Sequence, residues 1–231
     1  MSDALRRGNR GFTLIELLIV IAIIAILALI AIPNFLESQV RARVSRVHAD
    51  MRSIATALES YQVDYNIYLL ENSEYKKLKQ KGDLPADCDT SNVYSLARLT
   101  TPIAYLSTVL KDPFTEKGIV KVEGAKSAEG TRNAYDYYAL HSSLAEFGIE
   151  AMPGANNERA ECYQKGYRWA LGSLGPSRRL GGPDAPTKAL DAWQIIAPSR
   201  SLSIYDPTNG TVSFGFILRT NKGVYSGQDF R

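Results

Sequence analysis

Glu16 is the residue whose placement most demands an explanation. It lies in Phe12–Ile32, a run of 21 residues in which only Thr13 and Glu16 are polar. As a helix the run would measure about 31 Å, enough to cross the hydrocarbon core of a bilayer. A carboxylate four residues into such a run costs about 2.5–3.5 kcal/mol if buried in lipid, so a partner is expected. A shallow position reaching interfacial water would suffice for a lone anchor. It leaves unexplained the basic leader in front, Arg6-Arg7-Gly8-Asn9-Arg10-Gly11.

Elsewhere the residues that could do chemistry are scattered. The two histidines, His48 and His141, are isolated, and His48 reads as solvated beside a helix seam. There is no GxSxG elbow, no GxxxxGK[ST] phosphate loop and no HExxH. Thirteen tyrosines cluster at strand and seam positions, where packing is the expected role. No catalytic residue is assigned, and a non-enzyme is expected. Cys88 and Cys162 lie too far apart for a CxxC redox or zinc motif. In an exported domain they could form one disulfide, worth about 4 kcal/mol for so long a loop. Two unpaired thiols, one of them buried, is the other reading.

Charge points in the same direction. The net charge is +3, from 27 basic and 24 acidic residues. Without residues 1–11 the balance is 24 against 23, so the basic excess sits in the leader. No basic patch interleaved with aromatics suggests nucleic-acid binding.

The apolar run exceeds a signal-peptide core and continues into helical sequence, which disfavours a conventional cleaved signal. Arginines flank both ends, so charge alone leaves the orientation open. Pro33 closes the run and predicts a kink or local melting. Beyond it Val40, Val44, Val47, Met51, Ile54, Leu58, Tyr61 and Tyr65 recur at alternating spacings of four and three, a heptad seam. The seam could pack on the protein's own domain, on neighbouring copies, or on both. Tyr65-Asn66 marks the expected helix end.

Residues 71–91 read as a polar loop, with a short helix around Glu74–Gln80. A short helix is expected from Asn92 to Leu99, capped by Ser91 or Asn92 and stopped before Pro102. Strands are expected at 119–122, 134–140 and 167–173. Residues 172–183 are rich in Gly and Pro and read as a loop. Segments 202–205 and 211–219 flank Asp206-Pro207-Thr208-Asn209-Gly210, read as a hairpin turn. The loop at 141–166 reads as exposed. The fold class is α+β: a long N-terminal helix packed on a small antiparallel sheet domain. Its parts are a leader (1–11), a transmembrane and assembly helix (12–33), an amphipathic helix (34–66) and an extracytoplasmic globular domain (67–231).

Arg10-Gly11-Phe12-Thr13-Leu14-Ile15-Glu16-Leu17-Leu18-Ile19-Val20 resembles the class III signal of type IV pilins and type II secretion pseudopilins. The resemblance implies that prepilin peptidase cuts between Gly11 and Phe12 on the cytoplasmic side, and that the new Phe12 amine is N-methylated. In that family the carboxylate at the Glu16 position pairs with the N-terminal amine of a neighbouring subunit, which supplies the missing partner. Pro33 matches the family's helix-breaking proline. The family's orientation places the domain outside the cytoplasm, with the anchor in the inner membrane and an inner-membrane assembly platform as a further partner.

Leu99-Thr100-Thr101-Pro102, Asp112-Pro113-Phe114, Trp169 to Pro176 and Tyr205 to Thr211 resemble segments of the major pseudopilin. Major pseudopilins bind calcium in the loop after the Ser-Leu-Gly-Pro segment. Here Ser177 stands where an Asp is expected and Phe216 where an acid is expected. Losing two hard oxygen donors weakens a site that needs six to eight; Asp184, Asp191 or Asp206 could compensate, or their loops simply cap turns. No metal or cofactor is expected. The function implied is a filament subunit, a type II secretion pseudopilin first and a surface type IV pilin second. From a different class, a singly anchored extracytoplasmic binding or enzymatic domain would use the helix only as a tether.

Overall fold

The chain is described by a computed structural model over residues 12–70, 92–115, 134–139, 162–176, 204–206 and 215–225. Helix α1 runs from Leu14 to Tyr65. Two compact units divide after Val40, the first holding the apolar part of α1 and the second everything from Arg41 onward.

In the first unit every large apolar side chain from Phe12 to Leu36 is exposed. A helix apolar all round has no soluble face, so lipid or other helices must cover it. It is the one helix among the described residues long and apolar enough to span a membrane. Pro33 sits inside the helix, and α1 continues past it as one element. Proline lacks one N–H, the one that would bond to the Leu29 carbonyl, and the turns on either side carry the helix past it.

In the second unit the seam is the core. Val44, Val47, Met51, Ile54 and Leu58 are buried at spacings of three and four. Each such side chain stabilises the fold by about 1.5–3 kcal/mol. Burial fades at both ends, with Val40 and Tyr61 half-buried and Tyr65 exposed. The domain therefore covers the middle of the seam. Asn66, at φ 56°, ends α1 in the left-handed conformation that asparagine tolerates, its N–H donating to the Gln62 carbonyl at 2.8 Å. Helix α2, Asn92–Ala97, follows as expected from the sequence.

Strands β1 (Asp136–Ala139), β2 (Trp169–Ser173), β3 (Ile217–Thr220) and β4 (Gly223–Tyr225) form an antiparallel meander in chain order. Pairing aligns Tyr137 with Leu171, Leu171 with Arg219, and Arg219 with Val224. These share one face with Trp169. The opposite face places Ala170 and Leu218 in a second cluster with Cys162, Leu174, Ile204 and Phe216. Both faces are covered, which is why β2 is buried at all five positions.

Several expectations are corrected. Gly172 and Ser173, which the sequence offers both to the strand at 167–173 and to the loop at 172–183, belong to β2, because ladder pairing with β1 and β3 holds them extended. Ile204 and Phe216 pair in parallel, which rules out a tight hairpin between them. The hairpin lies later, at Asn221-Lys222 between β3 and β4. Asn221 braces it by accepting from the Arg168 N–H at 2.9 Å and donating to the Gly166 carbonyl at 3.0 Å. Residues 162–166 form a helical turn whose Cys162 is buried, not an exposed loop. The segments at 74–80, 119–122, 177–183 and 207–210 lie outside the described residues.

Candidate functional site

The candidate site is the start of α1. Thr13 and Glu16 close a reciprocal cap there. The Glu16 N–H donates to Thr13 Oγ1 at 3.2 Å, while the Thr13 N–H donates to Glu16 Oε2 at 2.9 Å. The Thr13 hydroxyl donates to the same carboxylate oxygen at 2.8 Å. This is the Thr-x-x-Glu capping box, which satisfies two backbone donors that a helix start leaves open. Its sequence signature is visible in Thr13-Leu14-Ile15-Glu16, and the sequence reading passed over it by treating Glu16 only as a charge seeking an amine. The carboxylate is thus held at the helix start by its own chain, beside Phe12, which is 80% exposed. Gly11 lies outside the described residues.

The remaining sequence candidates fall elsewhere. Pro33 stands on the exposed apolar helix, and one turn on, Ser38 Oγ donates to the Asn34 carbonyl at 2.8 Å. Cys162 is buried in the second core cluster. Cys88 lies outside the described residues, so the disulfide stays an expectation. His48 is half-buried rather than solvated, and burial together with Arg52 and Arg219 holds its pKa below the usual value. Phe216 is packed into the core at 2% exposure and has no oxygen to offer a cation. Ser177, Asp184 and Asp191 lie outside the described residues, so the reading on calcium rests on sequence.

Two motifs singled out in the sequence are brought together. Asp112, 1% exposed, accepts from the Phe114 N–H at 2.9 Å through Oδ1 and from the Leu174 N–H at 3.3 Å through Oδ2. Asp112-Pro113-Phe114 is thereby fastened to the end of β2. Gly175 follows at φ +65°, where a Cβ would come within 2.6 Å of the Gly215 carbonyl oxygen. Only glycine fits this approach of the two chains.

Side chains across the second unit hold α1 on the sheet. Trp169 Nε1 donates to Glu59 Oε1 at 2.8 Å, and the Tyr68 hydroxyl donates to Glu59 Oε2 at 3.0 Å. The Tyr135 hydroxyl donates to Asp50 at 2.8 Å. These polar roles of the tyrosines were not legible from periodicity.

Residues 6–32 match the family model described as the prokaryotic N-terminal methylation motif. The chain is 40% identical over 121 residues to the type IV wide pilus major component PilA4 of Thermus thermophilus, covering 52% of this chain and 92% of that protein. It is 38% identical over 145 residues to the type II secretion system core protein G of Pseudomonas aeruginosa, covering 63% and 92%. A third relative, the type IV major pilin protein PilA of Myxococcus xanthus, is 36% identical over 114 residues, and the match spans half of its length. No solved structure matches significantly. The chain belongs to the family of type IV pilins and type II secretion pseudopilins.

Proposed function

We propose that this protein is the structural subunit of a type II secretion pseudopilus. Prepilin peptidase cuts before Phe12, the new amine is methylated, and the subunit waits in the inner membrane with its domain outside the cytoplasm. Subunits then assemble, through a platform in that membrane, into a helical filament that drives protein export. The single observation that carries this reading is the exposed apolar helix from Phe12 to Leu36, with Glu16 fixed one turn from its start. In the filament the helices of neighbouring copies cover that surface, and the amine of an adjacent Phe12 competes with Thr13 for the Glu16 carboxylate. Similarity along 92% of the Pseudomonas protein supports the pseudopilin choice.

A surface type IV pilin is the second reading, favoured by the identity to the Thermus pilus component. Deleting the gene separates the two: a pseudopilin leaves exported proteins trapped in the periplasm, whereas a pilin abolishes surface filaments with export unchanged. Glu16→Ala tests the assembly role itself. Processing should persist while filaments fail. Normal function from a domain lacking the helix would instead establish a simple tether.

A further inference from the structure

The β3–β4 hairpin and the helical turn at 162–166 meet at two tyrosines of the second unit. Tyr167 lies between that turn and β2, and Tyr225 ends β4, 58 positions away in sequence. Their hydroxyls hydrogen-bond to one another, with ring centroids 6.0 Å apart and ring planes inclined at 51°. Both rings are half-buried and pack on the cluster around Cys162. The backbone fixes each of them. The Tyr167 N–H donates to the Cys162 carbonyl at 3.0 Å, and Tyr225 pairs with Leu218 across the β3–β4 ladder. Lys222, in the hairpin turn, holds its ammonium 4.8 Å from the Tyr167 ring centroid and donates to the Lys165 carbonyl.

Packing explains the two rings but not the meeting of their hydroxyls. A half-buried phenol has water within reach, so neither group needs the other as a partner. The pairing does bring together the ring edges that carry the carbons ortho to each hydroxyl. Those are the carbons at which phenoxyl radicals couple. Rings already held in place lose little further freedom when they are joined. Partial exposure lets the phenolic protons leave to water. The cation over Tyr167 disfavours withdrawing an electron from that ring, so Tyr225 is oxidised first.

We propose that Tyr167 and Tyr225 are an oxidative cross-linking site, closed as a dityrosine by hydrogen peroxide acting through a haem peroxidase. The peroxide-activated peroxidase takes one electron and the hydroxyl proton from each tyrosine. The two radicals then pair in one carbon–carbon bond between ortho carbons. The hydrogen on each of those carbons moves as a proton to the neighbouring oxygen, which restores both phenols. Peroxide accepts both electrons and both protons and leaves as two waters. The bond staples β4 to the start of β2, two strands otherwise joined only through β3. Closing so long a loop restricts the unfolded chain as a disulfide does. The site lies wholly in the second unit and does not depend on assembly.

The test treats the full-length protein, purified from membranes in detergent and dilute enough to keep chains apart, with hydrogen peroxide and a haem peroxidase. Trypsin cuts after Lys165, Arg168 and Lys222, so the two tyrosines fall in separate peptides, 166–168 and 223–231, neither with another tyrosine. Mass spectrometry should find these two peptides joined, lighter than their sum by two hydrogens, as the main dityrosine product. Tyr167→Phe and Tyr225→Phe keep the rings and should each remove it. The cross-linked protein should unfold at a higher urea concentration than the untreated wild type, while treated Tyr225→Phe should show no such rise. Dityrosine formed only at other tyrosines or only between chains would overturn the proposal. So would an unreacted protein in a mixture where N-acetyltyrosine dimerises, or a joined product whose urea midpoint does not rise.

Discussion

Asp112 shows how one side chain can join two segments that sequence alone leaves unrelated. Its carboxylate is buried, which pushes its pKa up, although the Phe114 and Leu174 N–H groups and the Ser173 side chain pull the other way. Asp112→Ala should cost about 1–3 kcal/mol for each buried N–H it strands, read as a lower urea midpoint. The pH dependence has a definite sign. A raised pKa means the folded state holds the proton more tightly, so Asp112 makes stability fall as pH rises from about 3.8 through its folded value. Removing it should make the net slope across that window more positive, measurable from unfolding curves at several pH values. Gly175→Ala should also destabilise, by about 1–3 kcal/mol, because the position combines a left-handed φ with a 2.6 Å clash. An unchanged midpoint would contradict the close approach. The Asp-Pro-Phe and Ser-Leu-Gly-Pro motifs were readable as motifs. Their meeting was not, because no local pattern encodes a hydrogen bond across 62 positions.

At the scale of elements, α1 was the most legible part of the chain. The spacing of Val44, Val47, Met51, Ile54 and Leu58 is a property of the helix itself, so the buried face follows from sequence. Leu58→Ala should cost about 2–5 kcal/mol, whereas Val63→Ala, at a position 76% exposed, should change little. Equal effects at the two positions would mean that the domain does not cover the seam as described. The sheet was legible only in part. Trp169 and Leu171 mark one face of β2, but Ala170 and Gly172 also face a packed cluster, so the strand lacks a polar side and its end reads equally as strand or as Gly-rich loop. The hairpin at Asn221-Lys222 was hidden behind a stronger turn signal at 206–210. Glycine at position 223, with φ +140°, was the local mark that could have found it.

At the scale of the whole molecule, the second unit buries its own core while the first exposes seventeen large apolar side chains between Phe12 and Leu36. A chain built this way is incomplete by itself, and assembly is the event that completes it. Glu16 is the point where the three scales meet: a helix cap within one chain, an expensive charge in lipid, and, in the filament proposed above, the register mark between neighbouring subunits. The account stands or falls on what becomes of the residues before it. Mass spectrometry of the protein purified from its own membranes measures this directly. The account predicts a mature chain that begins at Phe12 with a methylated amine, and an intact leader or an N-terminus at any other residue would contradict it.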